Sequence, residues 1–331
     1  MKLKKGFISI AIPVLNEEKN IGKCLELIFS QNFNIKKIEV FIVDAGCNDK
    51  TIEIAKKFNV KILDNKIKKD YDSGKMIALN KAKGEYFMYL DADMFLLSKN
   101  WFNQMLKVFK NKEISASFTK FIVVRNDNIL NRYLSYDPLQ RDPLYKFLTS
   151  NIDDIITKKE DDYFICKIRR RNPPPIGLCV YRTYLLKKYI HNEGFQDLEV
   201  PLILESKGYG IFAYVPNAGV HHKHVRNLKH LMFKRFRNIN IMGEGKVGYI
   251  PNYEKRMFKW VDLSDKKSVF KLFLWVIYAN LFIPLLLTGI YKMIKYRDYC
   301  FILEPITGLL VTDTVTYGFI KNKKGRKLIL K

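Results

Sequence analysis

Asp91 and Asp93 stand two residues apart at the C-terminal end of the apolar run Tyr86-Phe-Met-Tyr-Leu90. Side chains alternate along a strand, so both carboxylates fall on one face and into one local site. Two close carboxylates with no lysine beside them in sequence repel unless a cation lies between them. An oxygen-rich site of this kind suits Mg2+ or Mn2+ holding a diphosphate, which points to transfer from a nucleotide-activated donor. Alone, an Asp-x-Asp after a strand more often caps a helix than binds a metal. The weight therefore rests on what precedes it.

Three earlier segments carry polar signatures: Pro13-Val-Leu-Asn16-Glu17-Glu18, Val43-Asp44-Ala-Gly46-Cys-Asn48-Asp49, and Asp72-Ser-Gly74-Lys75. Asn16 and Asp49 can each cap a following helix. Asp44 ends a buried apolar run, where a carboxylate can accept from a nucleoside base. Gly46 permits a sharp turn that brings a flat ring close to the backbone. Lys75 follows a glycine at a predicted helix start, where a cation and free amides favour a diphosphate; as a sequence feature it reads equally as a solvated surface lysine.

The elements that must position these groups alternate in type. Phe7–Val14, Lys37–Asp44, Val60–Leu63 and Tyr86–Leu90 read as strands, separated by helices over Glu18–Phe29, Lys50–Phe58 and Gly74–Ala82. That alternation predicts an α/β fold with a mostly parallel central sheet, helices on both faces and ligands at the C-terminal strand ends. Beyond it, Trp101–Phe109 reads as a helix and Ile114–Val124 as a strand, whereas 126–162 has no clear pattern. Pro173–Pro175, after Arg169–Arg171, forms a stiff extended loop.

In order and spacing the four signatures resemble family 2 glycosyltransferases of the GT-A nucleotide-sugar-binding fold, over residues 7 to about 243. The resemblance implies a nucleotide-sugar donor held by Pro13, Asn16, Glu17, Asp44, Gly46, Lys75 and Asp91, and a metal on Asp93 with Asp91 in support. The segment Glu193-Gly-Phe-Gln196-Asp197-Leu-Glu199, followed by Lys207-Gly208-Tyr209 and Val215-Pro216, is similar to the family's block that carries the general base. Spacing back from Gly208 places Asp197 on that position, with Gln196 replacing the usual acid before it and Glu199 as the rival carboxylate; Asp197 also fits a helix N-cap. Of His221, His222 and His224, His222 best fits the family's histidine near the metal, and imidazole suits Mn2+ better than Mg2+.

Bulk properties point to the partner. With 58 Lys+Arg against 33 Asp+Glu the chain carries a formal charge of +25, which implies a polyanionic surface. No nucleic-acid-binding module is recognisable, so an anionic membrane is the better match. The five cysteines form no CxxC pair and are odd in number, as buried thiols in a reducing compartment are. The N-terminus runs from Met1-Lys-Leu-Lys-Lys into a strand with no signal-like apolar stretch, which keeps the catalytic domain cytoplasmic.

The predicted organisation is a catalytic domain over 1–243, a basic linker over 244–268 and a membrane segment over 269–331. Leu272–Tyr291 carries no charge, and as one helix it would cross about 30 Å, a bilayer core. Tyr299–Ile320 is either a second span or a re-entrant or interfacial helix, since it holds Glu304, Pro305 and Asp313. The helical stripe of Leu228, Leu231, Met232, Phe236 and Ile239 beside Arg226, Lys229, Lys234, Arg235 and Arg237 fits a core-facing helix with cations toward headgroups.

These features lead to an inverting glycosyltransferase at the cytoplasmic face of the cell membrane, acting on a hydroxyl of a lipid or lipid-linked glycan. The alternatives are a polyprenyl-phosphate sugar synthase, in which Arg169–Arg171 or Arg182 would matter more than a base, and a catalytically silent membrane adaptor. A processive polymer synthase is disfavoured because no Gln-x-x-Arg-Trp signature is present.

Overall fold

The computed structural model describes residues 2–66, 71–169, 173–190, 195–244 and 265–321. Along the chain the strands are β1 (Lys4–Val14), β2 (Ile38–Asp44), β3 (Lys61–Asp64), β4 (Gly84–Tyr89), β5 (Met94–Phe95), β6 (Ala116–Phe118), β7 (Ile156–Lys159), β8 (Phe164–Lys167), β9 (Cys179–Arg182), β10 (Ile211–Tyr214) and β11 (His221–His222). The helices are α1 (Ile21–Phe29), α2 (Thr51–Ala55), α3 (Tyr71–Lys81), α4 (Trp101–Lys107), α5 (Ile129–Ser135), α6 (Pro143–Leu148), α7 (Thr183–Tyr189), α8 (Glu199–Ser206), α9 (Leu228–Glu244), α10 (Lys266–Asn280), α11 (Ile283–Tyr296) and α12 (Leu303–Lys321).

The chain divides into two units, Met1–Ile122 with Ile152–His222, and Val123–Asn151 with Lys223–Lys331. The division falls differently from the sequence boundary at residue 243. Leu130, Leu134, Leu144 and Leu231 share a core with Trp275, Leu285 and Phe301. This common burial joins α5, α6 and α9 to the C-terminal helices. Most of 244–268, Arg170, Arg171, Glu193 and Gly194 lie outside the described residues.

The first unit is built on a sheet ordered β3-β2-β1-β4-β9-β6-β10-β8-β7. Its first four strands run parallel, as the βα alternation predicts. The sheet as a whole is mixed, which corrects the mostly parallel expectation: β9 lies antiparallel between β4 and β6, and β8 antiparallel beside β10. Ile8, Ile10, Ile12, Val40, Ile42 and Met88 alternate inward and are almost fully buried against the apolar face of α1 (Ile21, Leu25, Ile28). Burial of such side chains contributes roughly 1.5–3 kcal/mol each.

In the second unit the single span expected over Leu272–Tyr291 is a broken helix. α10 and α11 meet at a 76° bend, and no single helix among the described residues is long and apolar enough to cross a membrane. Pro284 explains the break: in a continuous helix its ring would meet the carbonyl of Asn280, and α10 ends at that residue. Phe282, in the joint, takes a positive φ of 58°. Charges that seemed costly in an apolar segment are paired within this unit. Lys292 Nζ lies 2.5 Å from Glu304 Oε1, and the Tyr133 hydroxyl donates to Glu304 Oε2 at 3.1 Å. The turn just before α12 approaches closely at Gly289, where a Cβ would come 2.6 Å from the Phe301 carbonyl oxygen.

Candidate active site

Asp91 and Asp93 follow β4 but do not extend it. The chain turns there, with the Met94 amide donating to the Asp91 carbonyl at 2.9 Å. The two carboxylates therefore share a site because of a turn, not because of strand alternation. Immediately afterwards β5 pairs with β11 so that His222 sits opposite Met94 and His221 opposite Phe95. This register settles which histidine joins the carboxylates. His222 Nε2 is 3.4 Å from Asp93 Oδ1, with its ring 5.1 Å from that of Phe121. His221 stacks toward Phe95 instead.

Ligand atoms of Asp91, Asp93 and His222 lie within 4.8 Å of one another, close enough to hold one metal ion. Two carboxylates and an imidazole form the mixed O/N donor set that suits Mn2+ and also admits Mg2+. Burial and the neighbouring Asp93 carboxylate push the Asp91 carboxyl above its ordinary range, while Lys75 and His222 pull it back. A cation between the carboxylates would relieve that repulsion.

Lys75 is not a surface residue. It lies on α3 with a side chain 5% exposed, its Nζ 2.5 Å from Asp197 Oδ1 and 3.5 Å from Asp72 Oδ1. The ammonium also stands 4.4 Å from the centre of the Tyr89 ring, a favourable cation–π arrangement. Burial disfavours its charge, but Asp197, Asp72 and Asp91 outweigh burial and hold Lys75 above the usual lysine range. Asp197, just before α8, spends its carboxylate on Lys75, and the N-cap residue Leu198 makes no side-chain cap. Glu199 is the first residue of α8. Tyr89 was missed by the sequence reading, and Asp72 was quoted in its signature without a role. The signals available were Asp72 three residues before Lys75 on one helix, and Tyr89 two residues before Asp91.

The first two strand ends are stitched together. Asn16, at a positive φ of 58°, does not cap α1; its Oδ1 accepts the Asn48 amide at 2.9 Å. The Glu17 amide donates to Thr51 Oγ1 at 2.7 Å, and Asp49 accepts from the amides of Glu18 and Thr51. Asp44 Oδ1 accepts the amides of Gly46 and Cys47 at 2.9 and 2.8 Å, with Gly46 at a φ of 101°. Burial opposes the charge on Asp44, yet these amides win and hold its carboxyl below the ordinary range. Pro13, on β1, packs beside Gly74, where an added Cβ would come 3.3 Å from the proline Cβ. All the site residues named from sequence thus fall in the first unit. Arg182 is otherwise engaged: its guanidinium donates to the carbonyls of Phe109, Asn111 and Ile114.

The sheet that carries this site is similar to that of known glycosyltransferases. Residues 9–172 match the sequence profile of Glycosyl transferase family 2. Glycosyltransferase AglE of Haloferax volcanii is 36% identical over 92 residues, covering 26% of this chain and 30% of the relative. A second relative, the dolichyl N-acetyl-alpha-D-glucosaminyl phosphate 3-beta-D-2,3-diacetamido-2,3-dideoxy-beta-D-glucuronosyltransferase of Methanococcus voltae, is 34% identical over 100 residues, 27% of this chain and 30% of the relative. The matched region thus spans under a third of either relative. Among solved structures, a mannosyltransferase from Pyrobaculum calidifontis in complex with GDP-Man and Mn2+ is similar, with a TM-score of 0.50 and 15% identity over 94% of this chain and 87% of that one. That likeness concerns the fold, which is GT-A-like with a mixed central sheet.

Proposed function

We propose that the chain is a metal-dependent, inverting glycosyltransferase that moves a sugar from a nucleoside-diphosphate sugar to a hydroxyl of a lipid or lipid-linked glycan at the cytoplasmic face of the cell membrane. The observation that carries this reading is the convergence of Asp91, Asp93 and His222 within 4.8 Å in the same unit as Asp44 and the Lys75–Asp197 pair. The nucleoside lies along Pro13, Asn16, Glu17, Asp44 and Gly46, with Asp44 accepting from the base. Asp91, Asp93 and His222 would hold the ion, which would supply positive charge to offset the negative charge of the leaving diphosphate. Asp197 takes the proton of the acceptor hydroxyl as its oxygen bonds to the anomeric carbon. The bond from that carbon to the diphosphate oxygen breaks on the opposite side, so configuration inverts.

The membrane part of the reading is supported by the second unit. Phe270, Phe273, Ile277, Leu287, Tyr291 and Ile294 on α10 and α11 are 44% to 74% exposed, and Lys266, Lys267, Lys271, Lys295 and Arg297 flank them. Exposed apolar faces bordered by cations suit the headgroup region of an anionic bilayer. The bent pair has the length and composition of a broken span or a re-entrant segment. With a lipid acceptor, such an anchor raises the local substrate concentration.

The test is a panel of nucleotide sugars incubated with the full chain, Mn2+ and a membrane lipid extract. Transfer to an organic-extractable product, lost in excess chelator, is the expected result. Nucleotide sugars left intact across the panel would contradict the enzymatic reading, and transfer only to water-soluble acceptors would contradict the lipid one.

A further inference from the structure

Lys75 has a partner in this structure that is not a diphosphate. Its buried ammonium lies 2.5 Å from Asp197 Oδ1, and the Asp197 side chain is 46% exposed, open on its other side. Among the described residues, the groups set around Asp197 are Lys75 from α3, which also reaches Asp72, Tyr89 from β4, Asp91 from the turn after it, and Cys179 and Tyr181 from β9. Of these only Lys75 is a cation. It therefore neutralises Asp197 while also lying in the field of Asp91, one of the three residues grouped for a metal. A nucleoside diphosphate arriving at that cluster brings at least two further negative charges. One ammonium cannot serve both sides fully, and a multiply charged oxyanion attracts it more strongly than one carboxylate does.

Resting on the donor reading above, we propose that Lys75 is a positioning residue shared between two anions: it holds Asp197 in the free protein and turns to the donor's diphosphate on binding, which releases the carboxylate to the acceptor hydroxyl. The exchange makes binding ordered. The base is occupied until the donor is in place, so neither water nor acceptor is deprotonated at an empty donor site. Asp197 and the diphosphate then compete for one cation, and each weakens the other's hold on it.

Binding of UDP and of GDP, each with Mn2+, measured by titration calorimetry on the full chain in detergent, tests this without turnover. Asp197→Asn should tighten binding about fivefold, because Lys75 no longer leaves a partner, and Lys75→Met should weaken it about tenfold or more, within the usual range of coupling between contacting residues. In the Lys75→Met background, Asp197→Asn should change affinity by less than about twofold. Lys75→Arg, which keeps the charge, should stay within roughly threefold of wild type, and Lys75→Gln replaces the methionine variant if the latter does not fold. Equal tightening by Asp197→Asn with and without Lys75 would mean simple removal of a nearby charge and would overturn the exchange. So would no tightening at all. If neither nucleotide binds the wild type, the donor reading itself falls, a result distinct from binding without coupling.

Discussion

Replacing Asp93 by asparagine keeps the side chain's volume and its place near His222 while removing one negative charge. Its effect on stability should change sign with metal. Ligand atoms of Asp91, Asp93 and His222 lie within 4.8 Å of one another. Two unit charges at such a distance repel by about 3.5 kcal/mol at an effective dielectric of about 20. Lys75 and His222 offset part of this at Asp91, so the net relief from losing one charge is on the order of 1 kcal/mol, or about 2 °C in Tm for a domain of this size. Without metal, Asp93→Asn should therefore melt about 2 °C above wild type. With Mn2+ at about a hundred times its Kd, wild type gains roughly 2.7 kcal/mol, or about 5 °C, and the variant should gain less than about 1 °C. Scanning calorimetry of both proteins, in chelator and in Mn2+, reads all four values. A variant that melts below wild type in chelator, yet keeps the full Mn2+ shift, would show that the carboxylates neither repel nor share an ion.

Asp197→Asn should lower kcat by a factor on the order of a hundred, while Glu199→Gln stays within about threefold; the reverse pattern in steady-state kinetics moves the base to Glu199, and indifference to both favours a phosphate acceptor. Asp44→Ala leaves the amides of Gly46 and Cys47 without their acceptor, so it should cost about 1–2 kcal/mol in urea unfolding at neutral pH. Because the folded Asp44 carboxyl is held below its ordinary range, its contribution is present above the unfolded pKa near 4 and disappears as pH falls through the lower folded value. The charge-dependent part of the gap between wild type and variant should therefore close below roughly pH 4, and a gap that widens in acid would contradict the assignment. Pro284→Ala restores an amide at the α10–α11 joint and should let the pair straighten. With spin labels at 267 and 295, the helix lengths and the 76° bend correspond to about 33 Å, against about 42 Å for a continuous helix; an unchanged distance by pulsed electron resonance would show that Pro284 does not make the break.

The first four strands were legible because each is an apolar run closed by a polar signature, and the ladder from Ile8–Ile38 to Val14–Asp44 brings two such ends side by side. Local pattern sufficed where pairing partners follow one another in sequence. It failed where they do not. β6 keeps only three residues of the longer strand read over Ile114–Val124, and β9, with four residues, was not read at all: it reaches its place between β4 and β6 by antiparallel pairing across long separations. The same limit appears in the site. Asp91, Asp93 and His222 could be named singly, His222 by the family's offset alone, but the two-residue ladder that sets it beside Asp93 is announced by no periodicity. Lys75 shows a second kind of gap: its sequence position allowed either a solvated lysine or a phosphate ligand, whereas in the fold it is buried against Asp197, 122 positions away.

The C-terminal helices mark a third gap, between composition and continuity. An uncharged stretch from Leu272 to Tyr291 satisfies any sum of hydropathy, yet a helix is continuous only if each carbonyl can accept the amide of the residue four places on. Pro284 violates that condition at Asn280, and a chain whose composition would span a bilayer turns by 76° instead. Burial then decides the role of each charge nearby. Lys292 is spent on Glu304, and Arg235, 8% exposed, on Asp142, so these cations are withdrawn from headgroup binding, while the apolar side chains of α10 and α11 remain exposed. On the membrane reading proposed above, counting basic residues overstates the electrostatic part of binding, and salt should weaken attachment less than the formal charge of +25 implies.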